Sequence, residues 1–259
     1  MLNENFVTRI NSLSVSDGAR RDLQEFVSQI VEFYKGDLLS VMLFGSVVTG
    51  DYVENTSDIN VMVVYSDLNI ANLDSVAGFA KKWFAKRNIS PRFISKRNLA
   101  SSAPYFQIDM LEMKDGYSVL YGDDLLREIV IDPKKLHWQL SYEIKAMRMR
   151  IKQQFWSSTG DATRIRRILL ERFTSLIHLS RTLLFLKKKN VSVSHREVMK
   201  TACDTFGISR DFVEMMFDLK NNRIQLDKAR SVKAFTDLME VIRIIDNNVD
   251  GVISQGEAL

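Results

Sequence analysis

The sequence has one cysteine, Cys203, and three histidines, His137, His178 and His195, in 259 residues. A single thiol excludes an internal disulfide and any Cys-based zinc cluster, and a reducing, cytoplasmic setting is the expectation. The histidines stand far apart and lack metal-ligand spacing, so each reads as a packing or surface residue. No uninterrupted apolar run approaches the length of a membrane span, so no membrane partner is expected. The opening stretch MLNENFVTRINS lacks the charged-then-apolar order of a signal segment. Internal repeats and low-complexity tracts are absent as well.

What is there is a globular composition, 46% apolar and 26% charged, in a chain long enough for two modest domains. The net charge of +4 hides an asymmetry. Residues 1–130 hold 13 Lys and Arg against 17 Asp and Glu, and residues 131–259 hold 23 against 15. A basic second half suits anionic partners, nucleic acid among them. Long solvated helices rich in Lys and Arg are the plainer reading, so nucleic acid is not favoured.

Apolar positions at a 3–4 spacing from Leu23 to Tyr34 predict a helix capped by Asp17 and ended by Gly36. Leu38 to Phe44 is a short apolar run suited to a buried strand, closed by Gly45-Ser46. A polar loop, 47–57, precedes a second strand from Asp58 to Tyr65. A helix is expected over Asn72 to Arg87, and strands over Arg92 to Ser95 and, by alternation, over Tyr105 to Met113. Asp115-Gly116 signals a turn, with short helical structure after it. Beyond Pro133 the periodicity is helical throughout, in runs near 134–156, 161–188, 194–206, 209–219 and 231–247. The expectation is an α/β domain over 1–131, with a mixed sheet and flanking helices, followed by an all-α helical bundle over 132–259.

One constellation stands out. A small turn at a strand end can present backbone N–H groups and a hydroxyl to phosphate, which fits Gly45 and Ser46. Polar residues two apart on a strand point to one face, so Asp58 and Asn60 share a side. A carboxylate from a further strand, Asp109, could complete a metal site and act as a base. Taken singly, Gly45-Ser46 is a strand-ending turn, Asp58 an N-cap and Asp109 one polar residue on an edge strand.

Together these parts resemble the polymerase-β-like nucleotidyltransferase superfamily, and stand-alone antibiotic adenylyltransferases within it. The pattern runs Phe44-Gly45-Ser46, then Asp58-Ile59-Asn60-Val61, then Ile108-Asp109-Met110. The resemblance implies transfer of a nucleoside monophosphate from a Mg²⁺-bound nucleoside triphosphate to a hydroxyl of an acceptor that the sequence does not name. Gly45 and Ser46 would bind the nucleotide. Asp58 and Asp109 would be catalytic, with Asp58, Asn60 and Asp109 as metal ligands. Two departures stand out: Asn60 replaces the second metal-binding acid, and Val47-Val48-Thr49-Gly50 carries no cation where many members have one. Asparagine is neutral and ligates only through its carbonyl oxygen, so Mg²⁺ should bind more weakly. The alternative is a catalytically degenerate protein that binds a nucleotide or another anion as a sensor or interaction module.

Overall fold

Leu38–Phe44 (β1) and Ile59–Tyr65 (β2) are buried almost throughout, which is why both read as near-continuous apolar runs. They pair antiparallel, with Phe44 opposite Asn60. Ile89–Ser95 (β3) runs parallel to β2, and Tyr117–Gly122 (β4) runs antiparallel to β1. The result is a four-stranded mixed sheet in the order β3-β2-β1-β4. The computed structural model describes residues 4–50, 52, 54, 57–66, 77–83, 88–158, 160–189 and 194–254. The chain divides into two compact units, Met1–Ile131 and Asp132–Leu259.

In the first unit the helices take one face of the sheet each. Glu4–Asn11 (α1) and Asp17–Tyr34 (α2) cover the face carrying Val41, Leu43, Val61 and Val63. Ser16, not Asp17, caps α2: its hydroxyl oxygen accepts from the Ala19 N–H at 3.3 Å. The helix closes at Lys35, whose φ of 47° makes the turn one residue before Gly36. Helical residues 77–83 supply Phe79 and Trp83 to this core, where the Trp83 ring meets Phe26 edge-on at 5.5 Å. The remainder of the helix expected over Asn72 to Arg87 lies outside the described residues. The opposite face carries Met42, Phe44, Met62 and Val64, and packs against Lys96–Ser102 (α4) and Gln107–Asp115 (α5). A single turn of helix, Ser46–Thr49 (α3), follows β1 directly, inside the stretch read as loop.

The strand expected over Tyr105 to Met113 is instead the helix α5, and the strand comes after it, as β4. The apparent alternation in that stretch is accidental. Its residues are good helix formers (Gln, Met, Leu, Glu, Lys) with Ile108 the one β-branched exception. Gln107, Ile108, Met110, Leu111 and Met113 are all buried, so α5 is covered on more than one side and shows no clean amphipathic stripe.

The second unit is helical: Pro133–Ser157 (α6), Ala162–Leu186 (α7), His195–Phe206 (α8), Arg210–Lys220 (α9) and Lys228–Ser254 (α10). Asp132 starts it, with its carboxylate accepting from the Lys134 and Lys135 N–H groups and Pro133 fitting the first turn, where no N–H is needed. Phe173 is fully buried and meets Phe212 and Phe217 edge-on, tying α7 to α9. His137 is buried with Nε2 3.0 Å from the Val249 carbonyl, a packing histidine between α6 and α10. His178 and His195, 17 residues apart in sequence, meet in space with ring centroids 5.5 Å apart. Among the described residues no helix is long and apolar enough to cross a membrane.

Candidate functional site

The site forms where β1 ends and β2, β3 and β4 begin. Gly45 has φ 77° and ψ −154°, a backbone conformation open in practice only to glycine. That conformation turns the chain sharply from β1 into α3, and the Gly45 carbonyl accepts from the Val48 and Thr49 N–H groups at 2.9 and 3.1 Å. A β-carbon on Gly45 would lie 3.2 Å from the Asn60 amide nitrogen. The Asn60 side chain is therefore turned onto the Gly45-Ser46 corner, and the missing side chain at Gly45 makes room for it. Ser46 opens α3, half-buried, beside this contact.

Asp58 stands just before β2, exposed at the mouth of the corner. The start of β2 is fixed by the Ile59 N–H donating to the Asn88 carbonyl at 2.8 Å, so Asp58 and Asn60 flank an anchored residue. Nearby, burial raises the Tyr52 phenol above its usual range, and the negative charges of Glu54 and Asp58 push it the same way. At the β4 side, Tyr117 lies opposite Phe44, and its hydroxyl donates to the Asp124 carboxylate at 2.9 Å. Burial, followed by that hydrogen bond, raises the Tyr117 phenol, so it stays a neutral donor near neutral pH.

The structure brings Gly45, Ser46 and Asn60 together, with Asp58 at their edge. Asp109 does not arrive on a neighbouring strand. It sits half-buried in the first turn of α5, a helix packed on the same sheet face through Met110 and Met113. The strand that does neighbour β2 on its outer side is β3, in parallel register with Asn60 beside Ser90 and Met62 beside Arg92. Ser90 and Arg92 thus share the face of Asn60, and that strand offers no carboxylate there. The Arg92 guanidinium lies over the Phe44 ring, 5.2 Å from its centroid. Phe44 is buried, so the ring is a fixed floor beneath the cation.

The sequence reading singles out the corner and not Arg92. The signal was one arginine, between Pro91 and Phe93, on a strand otherwise without charge. The strand register is what carries it to the site.

The donor set does not fit a Mg²⁺ cluster. Mg²⁺ prefers anionic oxygens in octahedral array. Among the described residues, the ends of β2 and β3 on this face present an asparagine turned onto a glycine corner and a guanidinium, with Asp58 just before β2 and the Asp124 carboxylate held by Tyr117. Among the described residues no group of three or more His, Cys, Asp or Glu side chains is placed to hold a metal ion.

No known protein-family model and no curated protein matches the sequence. Among solved structures, the chain is similar to the spectinomycin adenyltransferase AAD(9) of Enterococcus faecialis, solved with ATP and spectinomycin. The match has a TM-score of 0.53 at 12% identity and spans 89% of this chain and 98% of that one. The likeness is one of fold: a mixed sheet with flanking helices, then a helical C-terminal region.

Proposed function

We propose that this chain is a nucleotidyltransferase-fold protein that binds the phosphates of a nucleotide at the Gly45-Ser46 corner without transferring the nucleotide. The observation that supports this most is the pairing of Asn60, turned onto Gly45, with Arg92, stacked on Phe44 on the same sheet face. Where a metal-dependent transferase needs clustered acids, β2 and β3 bring Asn60 and Arg92 to this face. Ser46 contributes a hydroxyl and Ser90 a second one from β3. The structural neighbour was solved with ATP, which makes ATP the first nucleotide to try.

Asp58 favours a second reading, in which nucleotidyl transfer to a hydroxyl of a small-molecule acceptor persists. It is an acid at the mouth of the same corner and has the place the resemblance implies for a catalytic carboxylate.

Calorimetric titration of ATP and GTP, first with Mg²⁺ and then with EDTA, separates the two. The proposal expects binding in both buffers, within about twofold of each other. Binding that vanishes in EDTA would favour the transferase reading. No binding in either buffer would remove both.

A further inference from the structure

The loop after Gly45-Ser46 carries no cation, yet a fixed cation reaches the site from elsewhere. Arg92 belongs to β3, Phe44 to β1, and β2 runs between them. Strands lie about 4.8 Å apart, so the two backbones are separated by roughly 10 Å. A guanidinium carbon 5.2 Å from the Phe44 centroid must therefore lie back across β2, over the Asn60–Met62 segment. An exposed arginine ordinarily extends into water and keeps its rotamer freedom. Here the ring of a buried phenylalanine holds the guanidinium plane beside the corner. Among the described residues no carboxylate forms a salt bridge with Arg92, whereas Arg20, Arg148, Arg196, Arg210 and Arg243 each have one.

We propose that the Arg92 guanidinium is the cation that grips the phosphates of the bound nucleotide, in the role a divalent metal plays in a metal-dependent site. This rests on the nucleotide-binding reading and adds its chemistry: the ligand is a polyphosphate, recognised without a metal. A guanidinium suits that task because its planar fork donates two parallel hydrogen bonds to two phosphate oxygens. Phe44 supplies the platform and Asn60 a neutral donor from β2 at its edge. A carboxylate at position 60 would draw Arg92 into an ion pair and take it from the ligand, so the asparagine and the arginine form a matched set.

The test is titration of ATP, in EDTA and then with Mg²⁺, and of inorganic tripolyphosphate in EDTA, into the wild-type chain and the Arg92→Gln and Arg92→Lys variants. Because Arg92 is exposed, Arg92→Gln should fold normally, and its thermal melt should match the wild type. The expected result is a loss of at least tenfold in affinity for both ligands with Gln, and partial retention with Lys, which keeps the charge and loses the fork. Wild-type affinity in Arg92→Gln would overturn the inference. If ATP binds only with Mg²⁺ and is indifferent to Arg92, the inference falls while nucleotide binding stands. If tripolyphosphate binds through Arg92 and ATP does not, the metal-free polyphosphate grip of Arg92 stands and the nucleotide as its ligand falls. If neither ligand binds in either buffer, both fall.

Discussion

Gly122→Ala should unfold the first unit at a temperature far below that of the wild type. Gly122 ends β4 with φ 75°, and its partner in the ladder is Ser40 of β1. A β-carbon there would lie 1.9 Å from the Leu39 carbonyl oxygen and 2.8 Å from its carbon, both backbone atoms that no rotamer change can move. The left-handed backbone costs an L-residue about 1–2 kcal/mol. Forcing β1 and β4 apart adds about 1–3 kcal/mol of overpacking. The separation would also strain two neighbouring bonds: the Asp123 N–H donating to the Leu39 carbonyl at 3.0 Å, and the Ser40 hydroxyl donating to the Asp123 carbonyl at 2.7 Å. A total of about 2–5 kcal/mol corresponds to a melting shift of roughly 5–15 °C for a unit of this size. Thermal unfolding followed by near-UV circular dichroism reads it directly. A melt within about 2 °C of wild type would mean that β4 does not pack on β1 as described. Because β4 carries Tyr117 to the site and β1 carries Phe44, the same variant should also loosen the corner.

Asp246 is the second large effect, in the helical unit. Its side chain is 2% exposed on α10 and accepts from the Lys145 ammonium at 2.9 Å and from the Arg148 guanidinium, both on α6. Burial alone would raise the Asp246 carboxyl; the hydrogen bonds from the two cations outweigh it and hold the carboxyl below the usual range. Lys145 is raised, first by its hydrogen bond to Asp246 and then by that to Asp250. Lys145 and Arg148 are half-exposed and can return to water if the acid is removed, so the full cost of stranding a buried charge does not apply. Asp246→Asn should still cost about 2–3 kcal/mol, from charge-assisted hydrogen bonds lost at a buried position. The pH dependence follows from the sign of the shift. A carboxyl with a depressed folded-state pKa stabilises the fold above its unfolded value, near 4, and that contribution is lost as pH falls through the folded value. The wild-type helical unit should lose stability steeply below about pH 4, and Asp246→Asn should flatten that slope while lowering the melt at pH 7. Equal acid sensitivity in the two proteins would show that the Asp246 cluster is not what holds α6 to α10.

These cases show which parts of the molecule sequence reasoning reaches. Leu38–Phe44 and Ile59–Tyr65 were legible because strands buried on both faces leave unbroken apolar runs between polar turns. The long helices after Pro133 were legible because one buried stripe repeats over many turns, as Leu136, Leu140, Ile144, Met147 and Ile151 do on α6. The 107–115 helix shows the converse: burial on several sides erases the period that separates helix from strand. β4 escaped notice because it is mostly half-exposed, with Leu120 its one fully buried residue. For the site, Gly45, Ser46, Asp58 and Asn60 lie close in sequence and could be read as a unit. Arg92 could not, since its place depends on the parallel register of β3 with β2 and on a ring from a third strand. Contacts set by strand register leave almost no local trace.

The most direct measurement is a crystal structure of the chain grown with ATP and EDTA. The triphosphate should lie at the end of the sheet, with phosphate oxygens within hydrogen-bond distance of the Arg92 guanidinium and the Ser46 hydroxyl. ATP bound elsewhere, or at the corner with Arg92 turned away from its phosphates, would contradict this.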